Sequence, residues 1–184
     1  MSSSGRLSLS RNPMVWLVGE QNPYSRDPRY DLFPEPAGSA GARLCHKILG
    51  ISDRDYLRLF ERRNLVHGTK WSRQEAVSTA MNIATETGML GETAPVVLLG
   101  KRAHDAWTWM IARSEQGTLP GSLLVWTPFR AAAWGLRSFG VAQLPHPSGR
   151  SREWNAADAV RRARVAVVQV APWLRQVICP PEED

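Results

Sequence analysis

The chain is short of cysteine, short of acids relative to bases, and without any long apolar run. Its 2 cysteines, Cys45 and Cys179, stand far apart. They cannot make a four-ligand zinc or iron–sulfur cluster by themselves, and such sparse thiols suit a reducing compartment. No apolar stretch approaches the ~20 residues that a membrane-spanning helix needs, so no membrane partner is expected. The opening MSSSGRLSLSRNP has no apolar signal core, so the expectation is a cytoplasmic protein with a frayed start. Neither Gly-x-Gly-x-x-Gly nor Gly-x4-Gly-Lys-Ser/Thr occurs, which argues against an unrelated α/β nucleotide-binding enzyme. His46, His67 and His104 show no metal-ligand spacing; they read as ordinary polar residues, and neither a metal nor a cofactor is expected. There is no internal repeat and no low-complexity tract.

What is present fits a globular enzyme or binding protein. A chain of 184 residues is long enough to bury a real core, and we expect one domain over 13–178 between short tails at 1–12 and 179–184. Lys and Arg outnumber Asp and Glu by 23 to 17, a net charge of +6 with a pI near 10.0. That balance favours an anionic partner, nucleic acid being the usual one. Eight tryptophans suggest a large aromatic core with a few surfaces left for stacking. Oligomeric state has no signature, and a monomer is the default.

Short apolar runs alternate with helical patterns. MVWLV (Met14–Val18), RNLVH (Arg63–His67), PVVLL (Pro95–Leu99) and the run ending at Leu144 read as strands, with Ser122–Thr127 a further strand-like run. Helices are expected over Ala42–Leu49, from Ser52 or Asp53 to Phe60, from Arg73 to Thr87 behind a Ser72 cap, over Arg102–Arg113, and from Asn155 to Pro172. The alternation predicts an α/β fold: three layers, α/β/α, around a central, mainly parallel four-stranded sheet. In such sheets ligands sit beyond the carboxyl ends of the strands. The loops GEQNPYSRDPRYDLF, HGTKWS and HPSGRSREWN leave those ends and should converge there.

Two of these loops carry groups suited to chemistry. In LVGEQNPYS, Gly19 allows a sharp turn, Glu20 or Asn22 could hold or activate a water, and Pro23 stiffens the chain. The bland alternative is a polar turn with Asn22 bonded to its own backbone. In HPSGRS, the proline after His146 keeps its backbone extended. A neutral imidazole there could donate to negative charge on a leaving group. Ser148, Gly149 and Ser151 could approach a phosphate, and Arg150 could probe a duplex.

Together, GEQNPY and HPSGRS resemble the two signature motifs of the uracil-DNA glycosylase superfamily, in that order. VVLLGKRAHDAW (Val96–Trp107) looks like that family's third strand and following helix. RRNLVHG (Arg62–Gly68) sits where the family keeps an Asn that reads the base edge. The resemblance runs from about Met14 to Val170. The first motif departs from the usual pattern by one extra residue. Its Glu20 matches the iron–sulfur branch and its Asn22-Pro23 the mismatch-specific branch, while Gln21–Tyr24 looks like the motif of the commonest branch. The cluster cysteines of the iron–sulfur branch are missing, and the wedge position is Arg150.

The resemblance implies a monofunctional DNA N-glycosylase. It would flip a base, uracil or a modified pyrimidine, out of single- or double-stranded DNA and hydrolyse its N-glycosidic bond. His146 would hydrogen-bond the departing base, and Asn22 or Glu20 would place the water. Asn64 would read the pyrimidine edge, Phe33 or Tyr30 would stack on it, and Tyr24 would wall its C5 side. Ser148, Gly149, Ser151, Lys101 and Arg102 would hold phosphates, with Arg150 and Arg152 filling the gap left by the flipped base. Three alternatives stay open: a glycosylase for another base, one directed at hypermodified viral DNA in defence, and a non-catalytic nucleic-acid binder on the same fold.

Overall fold

A computed structural model describes residues 14–87, 94–115 and 140–179. Four strands, β1 (Val15–Asn22), β2 (Phe60–His67), β3 (Val96–Leu99) and β4 (Val141–Leu144), form one sheet in the order β2-β1-β3-β4. Every pairing is parallel. A short α1 (Ala40–Ala42) runs directly into a π-helical segment, Arg43–Leu49, followed by α2 (Asp53–Leu59). Beyond β2 come α3 (Arg73–Glu86) and, after β3, α4 (Lys101–Glu115). After β4 the chain forms α5 (Ala159–Val170) and α6 (Arg175–Ile178).

The sheet is apolar on both faces because it is covered on both faces. In β3, Val97 and Leu99 turn to one side, with Val15, Leu17, the π-helical segment and α5. Val96 and Leu98 turn to the other, with Val18, Leu65, α3 and α4. This is the expected three-layer α/β/α arrangement, and it explains why VVLL is an unbroken apolar run. Each fully buried Val or Leu there contributes about 1.5–3 kcal/mol. Ser39, Ser52 and Ser72 cap α1, α2 and α3, accepting from the backbone N–H of Ala42, Asp55 and Glu75 at 3.0, 3.1 and 3.2 Å. The expected caps at Ser52 and Ser72 are thus found.

Four features differ from expectation. β1 does not stop at Gly19 but continues to Asn22, because Gly19, Gln21 and Asn22 pair with Asn64, Val66 and His67 of β2. β2 begins at Phe60 instead of Arg63, which shortens α2 to Leu59. The helix at 42–49 is wound mainly as a π-helix. The last helix begins later than expected, at Ala159 instead of Asn155, after a 3-10 turn over Arg152–Asn155, and ends at Val170. The strand-like run Ser122–Thr127 lies outside the described residues.

The connection after β1 passes over one face, through α1 and α2, while the connection after β3 passes over the other, through α4. β1 and β3 are neighbours, so their carboxyl ends form the switch point of the sheet, where parallel sheets leave a crevice. Open parallel sheets place their ligands at such a switch point.

Candidate active site

Glu20, near the end of β1, reaches across this crevice. Its Oε1 accepts from the backbone N–H of Arg102 at 3.0 Å, in the first turn of α4. A carboxylate suits that position, since helix N-termini carry unsatisfied N–H groups and partial positive charge. Gly100, with φ +97°, makes the approach possible. A Cβ there would collide with the Glu20 carboxylate and come within 3.1 Å of His146 Cβ. Glu20 and His146 therefore flank one point above the end of β3.

His146 is held from three directions. Pro147 is buried behind it, and the His146 carbonyl accepts from Trp154 Nε1 at 2.8 Å. Its Nδ1 accepts from the backbone N–H of Ser148 at 3.2 Å. That bond sets the tautomer of the neutral ring: with Nδ1 accepting, the proton sits on Nε2. Burial holds the imidazole below its ordinary 6.5, and the Glu20 carboxylate pulls the other way without overcoming it. At neutral pH the ring is an uncharged Nε2–H donor beside a carboxylate.

The second half of the site centres on a residue the sequence reading passed over. Asp31 is 0% exposed. It accepts from Asn22 Nδ2 at 3.1 Å, from Asn64 Nδ2 at 2.9 Å and from the Asn64 backbone N–H at 2.8 Å. His67 Nε2 lies 2.9 Å from Oδ2. A carboxylate fully removed from water needs such a set of donors. Leu32, the next residue, has φ +47°, and Tyr56 Oη donates to its carbonyl at 3.0 Å. Non-glycine residues with positive φ are uncommon and strained, so the chain bears a local strain beside Asp31.

Asn22 is engaged on both sides. Besides donating to Asp31, its Oδ1 accepts from the backbone N–H groups of Tyr24 and Ser25, each at 3.1 Å. Its amide oxygen has both lone pairs engaged, so it cannot also accept from a water, while one Nδ2–H is left over. Asn64 differs. Its Nδ2 is on Asp31, but its Oδ1 is buried without a partner among the described residues. That oxygen packs directly over Gly19, taking the place that a Cβ there would occupy, with Leu32 alongside.

The aromatic candidates are less gathered. Phe33 is half-buried, with the Arg62 guanidinium 5.5 Å from its centroid and the Tyr30 ring edge-on at 6.1 Å. Tyr24 is 96% exposed and walls nothing in this conformation. Trp71 is half-buried, packs against the core and carries the Arg102 guanidinium at 5.4 Å over its ring. Lys101 is paired with Asp105 at 2.5 Å. Ser148 and Ser151 are half-buried; Gly149, Arg150 and Arg152 are exposed. The sequence reading missed Arg43, whose Nη1 would lie 3.0 Å from a Cβ on Gly149. Among the described residues Arg43 makes no ion pair.

Away from the crevice, His46 is not solitary. Its Nε2 is 2.6 Å from Asp53 Oδ1, and Cys45 Sγ is 3.6 Å from the same oxygen. These three groups fall within ligand distance of one another. The Cys45 thiol is pushed up to about 12, chiefly by burial, so it is held protonated and hydrogen-bonds the Ile51 carbonyl at 3.3 Å.

No protein-family model matches the chain, and a comparison with curated proteins gives no match either.

Proposed function

We propose that the chain is a DNA N-glycosylase acting on a base flipped into the crevice between β1 and β3. The observation that carries this reading is the neutral Nε2–H donor of His146 set beside the Glu20 carboxylate, both against Gly100. Breaking an N-glycosidic bond puts negative charge on the departing base and positive charge on the sugar. A neutral donor and a carboxylate answer those two charges.

In this reading the C1′–N bond breaks and its electron pair leaves with the base, whose oxygen His146 Nε2–H stabilises without transferring its proton. Glu20 stabilises the oxocarbenium-like sugar and orients a water. The water oxygen bonds C1′, and its proton passes to the Glu20 carboxylate and then to solvent. The released base takes up a proton from solvent. One oxygen of Glu20 stays on the Arg102 N–H, which holds the carboxylate in place. Asn64 reads the base edge, and Phe33 offers a stacking face. Ser148, Gly149, Ser151 and Arg102 hold phosphates, with Arg150 and Arg152 at the gap; Arg43, against Gly149, adds a cation to that set.

A second reading rests on Tyr24. With that ring 96% exposed, nothing from this residue closes the C5 side of a bound pyrimidine, which favours a base with a C5 substituent over plain uracil.

The test is a panel of labelled single- and double-stranded oligonucleotides carrying uracil, thymine, hypoxanthine, 5-hydroxymethylcytosine or its glucosylated form. After incubation and alkali, strand breaks at the base position are expected on at least one. Breaks only with C5-substituted bases favour the second reading. Salt-sensitive binding with no breaks on any substrate refutes the enzyme and leaves a nucleic-acid binder.

A further inference from the structure

We propose that Cys45, His46 and Asp53 form a binding site for a zinc-class divalent cation, which clamps the π-helical segment to the start of α2. The site stands independently of the glycosylase reading. Sequence spacing gives no hint of it, because the fold assembles it at a turn. Gly50, with φ +70°, sends the chain back, and the Cys45 carbonyl accepts from the backbone N–H groups of Gly50 and Ile51 at 2.9 and 3.2 Å. That return brings Asp53, the first residue of α2, to the two side chains. Asp53 Oδ1 lies 2.6 Å from His46 Nε2 and 3.6 Å from Cys45 Sγ, and all three atoms fall within 4.8 Å of one another. The π-helical winding of Arg43–Leu49 belongs to the same place, and such winding is rare and frequent at functional sites.

The donor set selects the ion. Zinc takes thiolate, imidazole and carboxylate at about 2.0–2.3 Å, which in a tetrahedron sets neighbouring ligands about 3.3–3.6 Å apart. The Sγ–Oδ1 separation already fits. The Nε2–Oδ1 pair must open by less than about 1 Å to fit the same tetrahedron. Both side chains have that freedom, being 52% and 46% exposed. Magnesium and calcium prefer oxygen ligands throughout, so a sulfur, nitrogen and oxygen set favours zinc. On binding, the Sγ–H bond breaks, its electron pair goes to the metal and its proton to solvent, while His46 gives the lone pair of a neutral Nε2. A thiolate and a carboxylate then balance the charge of the ion, so no net charge is left where Cys45 is buried. The fourth position faces solvent and takes water.

Cobalt(II), a spectroscopic substitute for zinc, tests this on the full chain under a non-thiol reductant. One equivalent is expected to bind, with a thiolate-to-cobalt charge-transfer band that added zinc bleaches and excess magnesium does not. Zinc should also raise the melting temperature of the wild type. Cys179→Ser should keep the band, since that exposed cysteine lies outside the cluster. Cys45→Ser should abolish it. Because Cys45 is buried and its variant can fail to fold, His46→Ala carries the decision. It removes an exposed ligand and should weaken cobalt binding by more than the roughly 10–100-fold that an outer-shell partner of a metal is worth, with the zinc-induced rise in melting temperature lost. A wild type without the band overturns the proposal. So does a band that His46→Ala leaves at wild-type affinity, or one that Cys179→Ser abolishes; the cluster is then an ion pair beside a buried thiol and nothing more.

Discussion

Replacing Glu20 by Gln is the sharpest probe of the crevice, because it changes charge and almost nothing else. The Gln oxygen can still accept from the Arg102 N–H, now at 3.0 Å from Glu20 Oε1. What disappears is a negative charge at the start of α4, a difference of about 0.3–1 kcal/mol in stability. The melting transition should therefore move little. Two other quantities should move much more. The Glu20 charge is the force that raises the His146 pKa against burial, so without it the ring should titrate lower still. The rate of bond cleavage should fall by about 10²–10⁴, the range for a positioned acid–base group. That is roughly 2.7–5.4 kcal/mol of barrier at 1.36 kcal/mol per decade, several times the stability change. The assay pairs single-turnover excision with an NMR titration of the His146 ring. A rate within threefold of wild type refutes the role of Glu20. A His146 midpoint that stays put, or rises, refutes the electrostatic pairing on which that role is built.

Other perturbations reach the same crevice by different routes. Gly100→Ala forces a side chain into a φ of +97° and into the Glu20 carboxylate; strain plus the lost cap should lower stability by about 2–4 kcal/mol in denaturant melts, and unchanged stability would show that Glu20 does not sit there. His146→Ala should lower the excision rate by about 10²–10³ with binding of an abasic-site duplex retained, and a rate equal to wild type removes the imidazole from the chemistry. In the wild-type protein, His146 has a folded pKa below the unfolded 6.5, so the unfolded chain binds more protons in the window beneath 6.5. Its contribution to stability is complete above 6.5 and lost as pH falls through the folded value. The neutral donor should likewise persist below pH 6.5, and in denaturant melts across pH His146→Asn should remove the fall in stability that the wild type shows as pH drops below 6.5. Arg43→Ala should weaken duplex binding and reduce the slope of log affinity against log salt by about 1, measured by fluorescence anisotropy; an unchanged slope means that Arg43 touches no phosphate.

How much of this could be read from the chain alone depends on how local each signal is. VVLL and the run ending at Leu144 announce themselves because strands covered on both faces are continuously apolar. Ser52 and Ser72 announce helix starts because each cap closes on a residue only three positions away. The end of β1 has no such signal. Glu-Gln-Asn has the composition of a turn, and it is strand only because β2 lies alongside with its own N–H and C=O groups to share. The bland reading of Asn22, an amide bonded to its neighbours' backbone, describes half of what it does.

Asp31 is the extreme case. In the loop it is one acid among Arg, Pro and Tyr, and its donors come from positions 9, 33 and 36 residues away. No periodicity could single it out. Glu20 and His146 were visible as residue types able to do chemistry, yet their adjacency comes from topology. The chain leaves β1 over one face of the sheet and β3 over the other, and the opening between those strands receives a carboxylate from the first and a loop from β4. The requirement that couples them is the small volume at Gly100. Any side chain there would part the two groups, so the residue without chemistry of its own is the one that the proposed chemistry can least do without.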